Sequence, residues 1–143
     1  MKRILVATDG SEGADRAVDY AAQWARDQGA ELLIVNVVHG LPEQLLRNFT
    51  HAQHAWLDEL FESLAAETLG KARERAHKIG IGTILLESRS GDVAPTIIDI
   101  AREMHADAIV VGRRGVGQAA GLLLGSVSQK LVSLAPLPVS VIP

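Results

Sequence analysis

Five short runs of apolar, mostly β-branched residues recur along the chain and predict five β-strands. Most of these runs are continuous rather than alternating, which is typical of strands buried on both faces of a parallel sheet. The predicted strands are Ile4–Thr8, Leu32–Val38, Thr83–Glu87, Ala108–Val111 and Val139–Ile142. A parallel sheet needs a long connection between consecutive strands, so the segments between the runs are expected to be helical.

The segments between the strands carry apolar residues at helical spacing and predict four helices. Ser11 and Asp92 are predicted N-caps, and Gly29, Gly80 and Pro136 mark helix ends. The apolar stripes run from Ala14 to Ala25, from Leu57 to Ala76, from Ala94 to Met104 and from Val127 to Leu134. Strands and helices therefore alternate along the whole chain.

This alternation predicts an α/β fold, an open parallel sheet with helices on both faces. The 143 residues suit one domain, and the chain has no internal repeat, linker or low-complexity tract. We therefore take residues 1–143 as a single domain. The one long connection, His39–Asn48, is a candidate lid or partner-contact loop.

Composition and charge exclude several classes of function. The chain has no cysteine, which excludes a disulfide framework, a thiolate metal site and a cysteine nucleophile, and which fits a reducing cytosol. The net charge of −3 and the scarcity of aromatic residues argue against a nucleic-acid partner. No apolar run approaches the roughly 20 residues of a membrane span, and no signal peptide is evident. We therefore expect a cytoplasmic protein with no membrane partner.

The candidate binding chemistry lies at the junctions between strands and helices, because open α/β sheets bind ligands beyond the carboxyl ends of their strands. After the fourth strand, Gly112-Arg113-Arg114-Gly115 is followed by nine residues and then by Gly125-Ser126, which opens a helix. Glycines let the backbone approach a ligand closely, and a helix N-terminus offers free N–H groups. The spacing indicates a phosphate cradle, although neither the P-loop nor the dinucleotide-binding signature is present.

Several polar residues near these junctions leave two interpretations open. Asp9 either contacts a ligand or only starts the first helix through an Asx turn, and beside phosphates it would need an intervening hydroxyl or Mg²⁺. Arg113 and Arg114 either hold phosphate or form a solvated basic pair. His51, His54 and Asp58 share one helical face, but a surface coincidence is favoured over a metal site because nothing fixes a second shell.

Three motifs together resemble a known family. They are Val6-Ala7-Thr8-Asp9-Gly10-Ser11, the spacing Gly112-x2-Gly115-x9-Gly125-Ser126, and the ending Pro138-Val139-Ser140-Val141-Ile142. The chain looks like a universal stress protein of the ATP-binding branch, and the resemblance spans its whole length. It implies a Rossmann-like, adenine nucleotide alpha hydrolase-like sheet in the order 3-2-1-4-5. It also implies a homodimer formed through the last strand, Val139–Ile142, a short apolar edge of the kind that pairs with another chain.

The resemblance further implies a site for ATP, ADP or AMP, optionally with Mg²⁺. Asp9 would lie beside the nucleotide, and Val37 would meet adenine. Backbone N–H groups and the Ser126 hydroxyl would contact the phosphates. Asn36 stands where the family often has His, one residue before Val37. The implied binding residues are Ala7, Thr8, Asp9, Val37, Gly112, Arg113, Gly115, Gly125, Ser126 and Val127.

Three functions stay open at this point. The first is a nucleotide-binding regulatory module in a stress response. The second is a slow ATPase or phosphotransfer protein, for which the sequence offers no convincing general base or catalytic lysine. The third is a dimeric interaction protein that binds no nucleotide. The stress, the partner and the preferred nucleotide are not readable from the sequence. Because the aromatic residues avoid the predicted junctions, aliphatic walls such as Val37 are expected to hold a bound adenine.

Overall fold

The computed structural model describes residues 1–113 and 124–143, and strands and helices alternate in this part of the chain. The elements are β1 (Arg3–Ala7), α1 (Glu12–Gln28), β2 (Glu31–Val38), α2 (Glu43–Leu46), α3 (His51–Ile79), β3 (Ile84–Ser90), α4 (Val93–Glu103), β4 (Ala108–Gly112), α5 (Ser126–Leu134) and β5 (Val139–Ile142). Each of the five predicted strands is present, and each predicted helical stripe lies within a helix except for Met104, which is the C-cap residue just after α4.

The five strands form one sheet in the order β3-β2-β1-β4-β5, and every neighbouring pair is parallel. This confirms the predicted fold class and strand order. The chain builds outward from β1 to β3 on one side and then returns to place β4 and β5 on the other side. The direction of winding therefore reverses between β1 and β4, and this is the position where open α/β sheets bind their ligands.

Two helical layers cover the sheet, and alternate residues of each strand face opposite layers. In β1, Ile4 and Val6 pack with α1 and α3, whereas Leu5 packs with α4 and α5. Alanines dominate the buried face of α1, so this helix can approach the sheet closely. The opposite layer contributes larger side chains, among them Ile97 and Leu131, to the core. No described helix is both long and apolar enough to cross a membrane.

Local sequence signals set the ends of the helices. The Ser11 hydroxyl accepts a hydrogen bond from the Ala14 N–H at 3.2 Å and begins α1. Gly29 ends this helix in the left-handed conformation, with φ 63°. Thr50 and Gln53 form a reciprocal capping box that begins α3. The predicted cap Ser11 and the predicted stop Gly29 are therefore confirmed.

The structure differs from the sequence prediction in several places. Helix α3 begins at His51, before the apolar stripe, because the capping box satisfies its first turn. The connection His39–Asn48 contains the four-residue helix α2 after Pro42. Strand β3 runs on to Ser90, since its backbone keeps pairing with β2. Asp92 holds the N-cap position of α4 but makes no capping hydrogen bond within the described residues.

The amino-terminal edge of the sheet is held by a network of polar groups. The backbone N–H groups of Arg3 and Lys2 donate to the Asp107 carboxylate at 3.0 and 2.7 Å, and they lower the pKa of that carboxyl. The Arg3 guanidinium donates to Glu31 and to the Met104 carbonyl. These polar groups tie β1 to β2 and to the start of β4.

Candidate functional site

A cavity of about 400 Å³ opens at the carboxyl edge of the sheet, where the winding reverses. The ends of β1, β2 and β4 and the first turns of α1, α4 and α5 surround it. Its volume lies within the range of small-molecule sites. The described residues that line it are Ala7, Thr8, Asp9, Ser11, Ala14, Val35, Val37, His39, Val93, Ile97, Val111, Gly112, Arg113, Gly125, Val127 and Ser128.

One side of the cavity is aliphatic. Val35 and Val37 come from β2, Val111 comes from β4, and Val93 and Ile97 come from the first turns of α4. Among the described lining residues there is no Phe, Tyr or Trp. This surface suits a flat apolar group such as a heterocyclic base, and it agrees with the expectation of aliphatic rather than aromatic walls.

A tight turn follows β1 at the rim of the cavity. The Asp9 Oδ1 accepts a hydrogen bond from the Ser11 N–H at 3.0 Å, and the Thr8 Oγ1 accepts one from the Gly10 N–H at 3.1 Å. Gly10 has φ 83°, which favours glycine at this position. Asp9 therefore forms the Asx turn that starts α1 and also lines the cavity. A ligand contact by Asp9 stays a prediction.

A buried amide supports this turn from β2. The Asn36 side chain donates from Nδ2 to the Thr8 carbonyl at 2.9 Å, and the Thr8 N–H donates to the Val35 carbonyl at 2.9 Å. Both Asn36 and Thr8 are buried. The Asn36 side chain therefore holds the backbone of the turn that follows β1. This hydrogen bond gives Asn36, the residue before Val37, a structural role.

Arg113 lies where β4 leaves the sheet, and its backbone joins three elements. Its N–H donates to the Ile142 carbonyl of β5 at 2.8 Å. Its carbonyl accepts from the Gly125 N–H at 2.7 Å and from the Ser128 hydroxyl at 2.8 Å. The Gly125 N–H, which the family resemblance assigns to phosphate, is therefore already bonded within the protein.

The first turn of α5 faces the cavity without a capping side chain. Its N-cap is Gly125, and no described side chain bonds the N–H groups of this turn in the manner of a cap. The Ser128 hydroxyl is directed instead to the carbonyls of Arg113 and Gly125. Beside this turn, the Arg113 Nε is buried and has no hydrogen-bond partner among the described residues. A helix N-terminus and a guanidinium together attract an anionic group.

Gly112 has a packing role that its place in the glycine motif does not reveal. A Cβ at this position would lie 2.9 Å from the carbonyl oxygen and 3.0 Å from the carbonyl carbon of Gly13. Only a residue without a side chain lets α1 approach β4 this closely. This contact places the start of α1, with Ser11 and Ala14, at the same cavity as the start of α5.

The sequence profile of the universal stress protein family matches residues 1–143. The chain belongs to the universal stress protein family. A universal stress protein of Thermus aquaticus is 38% identical over 141 residues, which cover 96% of this chain and 96% of that protein. Other relatives are longer, and the chain spans 47% of the length of three mycobacterial universal stress proteins.

Two similar solved structures are universal stress proteins in complex with a nucleotide. One is a universal stress protein in complex with cAMP, with TM-score 0.73 and 28% identity, which covers 99% of this chain and 95% of that chain. The other is the universal stress protein from Archaeoglobus fulgidus in complex with dAMP, with TM-score 0.70 and 27% identity, which covers 100% of this chain and 98% of that chain.

The universal stress protein fold brings together most of the binding residues that the family resemblance implies. Eight of the ten line the cavity, namely Ala7, Thr8, Asp9, Val37, Gly112, Arg113, Gly125 and Val127. Ser126 is exposed and is not among the described lining residues, and Gly115 lies outside the described residues. Whether any of the ten contacts a ligand stays a prediction.

Eight further residues line the cavity although they are not among the ten implied ones. They are Ser11, Ala14, Val35, His39, Val93, Ile97, Val111 and Ser128. From the sequence, most of them are predicted only as core residues. An inward-facing apolar residue has the same place in the hydrophobic pattern whether it packs in the core or lines a binding cavity. Ser128 is different, since a serine on the same helix face as Leu131 is a polar residue in an apolar stripe.

Metal chemistry has little support in the described part of the chain. No group of three or more His, Asp or Glu side chains there could hold a metal ion. His54 instead packs against Phe49, with ring centroids 5.7 Å apart. The interpretation of His51, His54 and Asp58 as a surface coincidence stays a prediction. Asp9 is the one carboxylate among the described cavity residues, so Mg²⁺ would fit there only together with ligand phosphates.

Proposed function

We propose that this universal stress protein binds an adenine mononucleotide at the carboxyl edge of its sheet and acts as a regulatory module in a stress response. ATP is the leading ligand, with ADP and AMP as the shorter members of the same class. One observation carries the proposal: a single cavity is lined both by aliphatic side chains of β2, β4 and α4 and by Arg113 together with the uncapped start of α5.

The aliphatic side supplies the base-binding half of the proposed site. Val37 at the end of β2 and Val93 and Ile97 in α4 offer apolar surface on two different elements. Burial of a purine between them is favourable in proportion to the apolar area that it removes from water. Backbone groups at the ends of the strands are left to recognise the edge of the base.

The start of α5 and Arg113 supply the proposed phosphate-binding half. The α5 N-terminus carries partial positive charge, and Arg113, which also lines the cavity, has a cationic side chain. Asp9 would repel phosphates at short range, so we place it beside the ribose, whose hydroxyls donate to a carboxylate. Mg²⁺ would reach the site bound to the phosphates of ATP.

The proposal agrees with the ligands of two relatives, cAMP in one structure and dAMP in the other. Both are adenine mononucleotides, the ligand class that we propose for this cavity. Because the relatives are 28% and 27% identical to this chain, they support the class and leave the number of phosphates to experiment.

We also propose that the protein is a cytoplasmic homodimer whose subunits meet through β5. The strand Val139–Ile142 is a sheet edge without a charged side chain, and each of its residues is only partly buried. The other edge, β3, carries Glu87 and Arg89, and charged residues of this kind discourage edge pairing. The apolar edge is therefore the better candidate for a second copy.

Isothermal titration calorimetry with ATP and adenosine tests the nucleotide proposal. We expect Val37→Asp to weaken both ligands, because it places a charge in the base-binding wall. Arg113→Met removes one charged hydrogen-bonding group, so we expect ATP to weaken about 10- to 100-fold while adenosine changes little. Arg102→Met, an exposed arginine of α4, is the matched control.

Mass spectrometry of ligand released from the denatured, purified protein provides an independent test. Recovery of ATP, ADP or AMP would support the proposal. A protein that carries no nucleotide and gives no heat with ATP, ADP or AMP would contradict it and would favour the interaction protein that binds no nucleotide.

Size-exclusion chromatography coupled to light scattering, with Val141→Lys as the edge variant, tests the dimer separately.

A further inference from the structure

We propose that Ser128 is a positioning residue for the phosphate-binding half of the site, an inference that rests on the proposed nucleotide binding. Ser128 is the third residue of α5 and is 1% exposed. Its hydroxyl lies 2.8 Å from the Arg113 carbonyl oxygen and 3.1 Å from the Gly125 carbonyl oxygen. A serine hydroxyl has one proton, so the shorter contact with Arg113 is its main hydrogen bond.

The position of this hydroxyl is unusual for a helical serine. Serine within a helix commonly bonds the carbonyl three or four residues earlier in the same helix, as Ser128 does with Gly125. The additional bond to Arg113 reaches 15 residues back along the chain, to the end of β4. Burial of a hydroxyl group without a hydrogen-bond partner costs free energy, so the identity of the partner determines which segments the hydroxyl holds together. Here the effect is to join the end of β4 to the start of α5.

The Arg113 carbonyl accepts from two donors, and both belong to the start of α5. The Gly125 N–H donates at 2.7 Å and the Ser128 hydroxyl at 2.8 Å. Together they hold the Arg113 peptide at a set place relative to the first turn of α5. Arg113 and this turn are the groups that we propose to receive phosphate, and both line the cavity. Ser128 therefore sets the geometry of the groups proposed to receive phosphate without contacting phosphate itself.

The base-binding wall comes from other elements than this clamp, the two hydrogen bonds that the Gly125 N–H and the Ser128 hydroxyl donate to the Arg113 carbonyl. Val37 lies on β2, and Val93 and Ile97 lie on α4, which packs against α5, and none of the three takes part in those hydrogen bonds. Loss of the Ser128 hydroxyl should therefore lower the affinity of a ligand that binds through its phosphates. A ligand without phosphate, adenosine, should keep its affinity.

Calorimetry on Ser128→Ala with ATP and adenosine tests this separation. We expect the ATP affinity to weaken by up to about fivefold, the factor that corresponds to the net free energy of one hydrogen bond, with the adenosine affinity unchanged. Ser133→Ala, the same substitution at an exposed position of α5, is the matched control and should bind both ligands as the wild type does. Ser128→Thr keeps the hydroxyl and should keep the preference for ATP over adenosine.

Amide hydrogen exchange at Gly125, followed by NMR in the absence of ligand, provides the second readout. We expect exchange about fivefold faster in Ser128→Ala, because the neighbouring hydrogen bond to Arg113 is lost. Unchanged exchange at Gly125 would overturn the clamp, and an equal loss of ATP and adenosine affinity would reduce Ser128 to a general stabilising role. If the wild type binds no ATP, the proposed function and this inference fail together. If it binds ATP and Ser128→Ala keeps the wild-type ratio of affinities, this inference fails alone.

Discussion

Substitution of Gly112 by alanine should destabilise the protein and disturb the cavity at the same time. The added Cβ would lie 2.9 Å from the Gly13 carbonyl oxygen, 3.0 Å from its carbonyl carbon and 3.3 Å from the Ala14 nitrogen. All three atoms belong to the backbone of α1, so no side-chain rotation can relieve the contacts. The first turn of α1 must move away from β4.

The size of the effect follows from two opposing contributions. Overpacking of a close contact costs about 1–3 kcal/mol. Replacement of glycine by alanine recovers roughly 0.4–1 kcal/mol, because the unfolded chain loses conformational freedom. We therefore expect Gly112→Ala to lower the free energy of unfolding by about 1–2 kcal/mol. For a domain of this size the melting temperature should fall by about 5 °C.

Urea denaturation monitored by circular dichroism measures this loss, with Gly70→Ala as the matched control. Gly70 is an exposed residue inside α3, and a Cβ built there meets nothing within 4 Å in the described part of the chain. The same substitution should therefore stabilise the protein at Gly70, by about 1 kcal/mol through helix propensity. Equal stability of wild type and Gly112→Ala would refute the packing role of Gly112. A parallel loss at Gly70 would show that the cost is not specific to the contact with α1.

Three other substitutions test hydrogen bonds and ion pairs within the fold. Asp107→Asn should destabilise the protein at pH 7, because the folded state favours the ionised carboxylate and so lowers its pKa. The difference in stability from wild type should shrink as the pH falls below about 4, where the carboxylate becomes protonated. A difference that stays constant between pH 7 and pH 3 in urea denaturation would contradict this. Asn36→Leu leaves the Thr8 carbonyl without its side-chain donor and should cost about 1–3 kcal/mol in the same assay. Arg75→Ala removes two hydrogen bonds to the Asp19 carboxylate, at 3.0 and 2.7 Å. It should lower the free energy of unfolding by less than about 1 kcal/mol, because the ion pair is partly exposed. A double-mutant cycle with Asp19→Ala should give a coupling energy that becomes smaller in about 1 M salt.

The fold was predictable because a central strand that is buried on both faces is a nearly continuous run of apolar residues in the sequence. The three central strands, β2, β1 and β4, are almost continuously apolar, and their residues are largely buried. Strand β3 lies at an edge, and its carboxyl-terminal half is polar. The prediction therefore ends this strand at Glu87, whereas backbone pairing with β2 carries it on to Ser90. Backbone hydrogen bonds of this kind depend on the neighbouring strand and leave no pattern in the segment itself.

The site was predictable where its residues occupy a special backbone position and was missed where they are ordinary core residues. Gly112 and Gly125 stand out in the sequence because their spacing is unusual. Val93 and Ile97 belong to the apolar stripe of α4 and become cavity residues only because the cavity opens at the end of that stripe. The prediction that Ser11 begins α1 is right, but the place of Ser11 at the cavity depends on the approach of α1 to Gly112.

The choice between the two serines of α5 follows from helix geometry. Successive residues of an α-helix are separated by about 100°, so Ser126 and Ser128 point about 200° apart. Leu131 lies three residues after Ser128 and is fully buried, which directs Ser128 inward as well. Ser126 must then face away from the core, and it is exposed in the structure. If a ligand does engage Ser126, it must reach that hydroxyl from the solvent side of the helix start. The inward hydroxyl of the pair is already bonded to the backbone that surrounds the site.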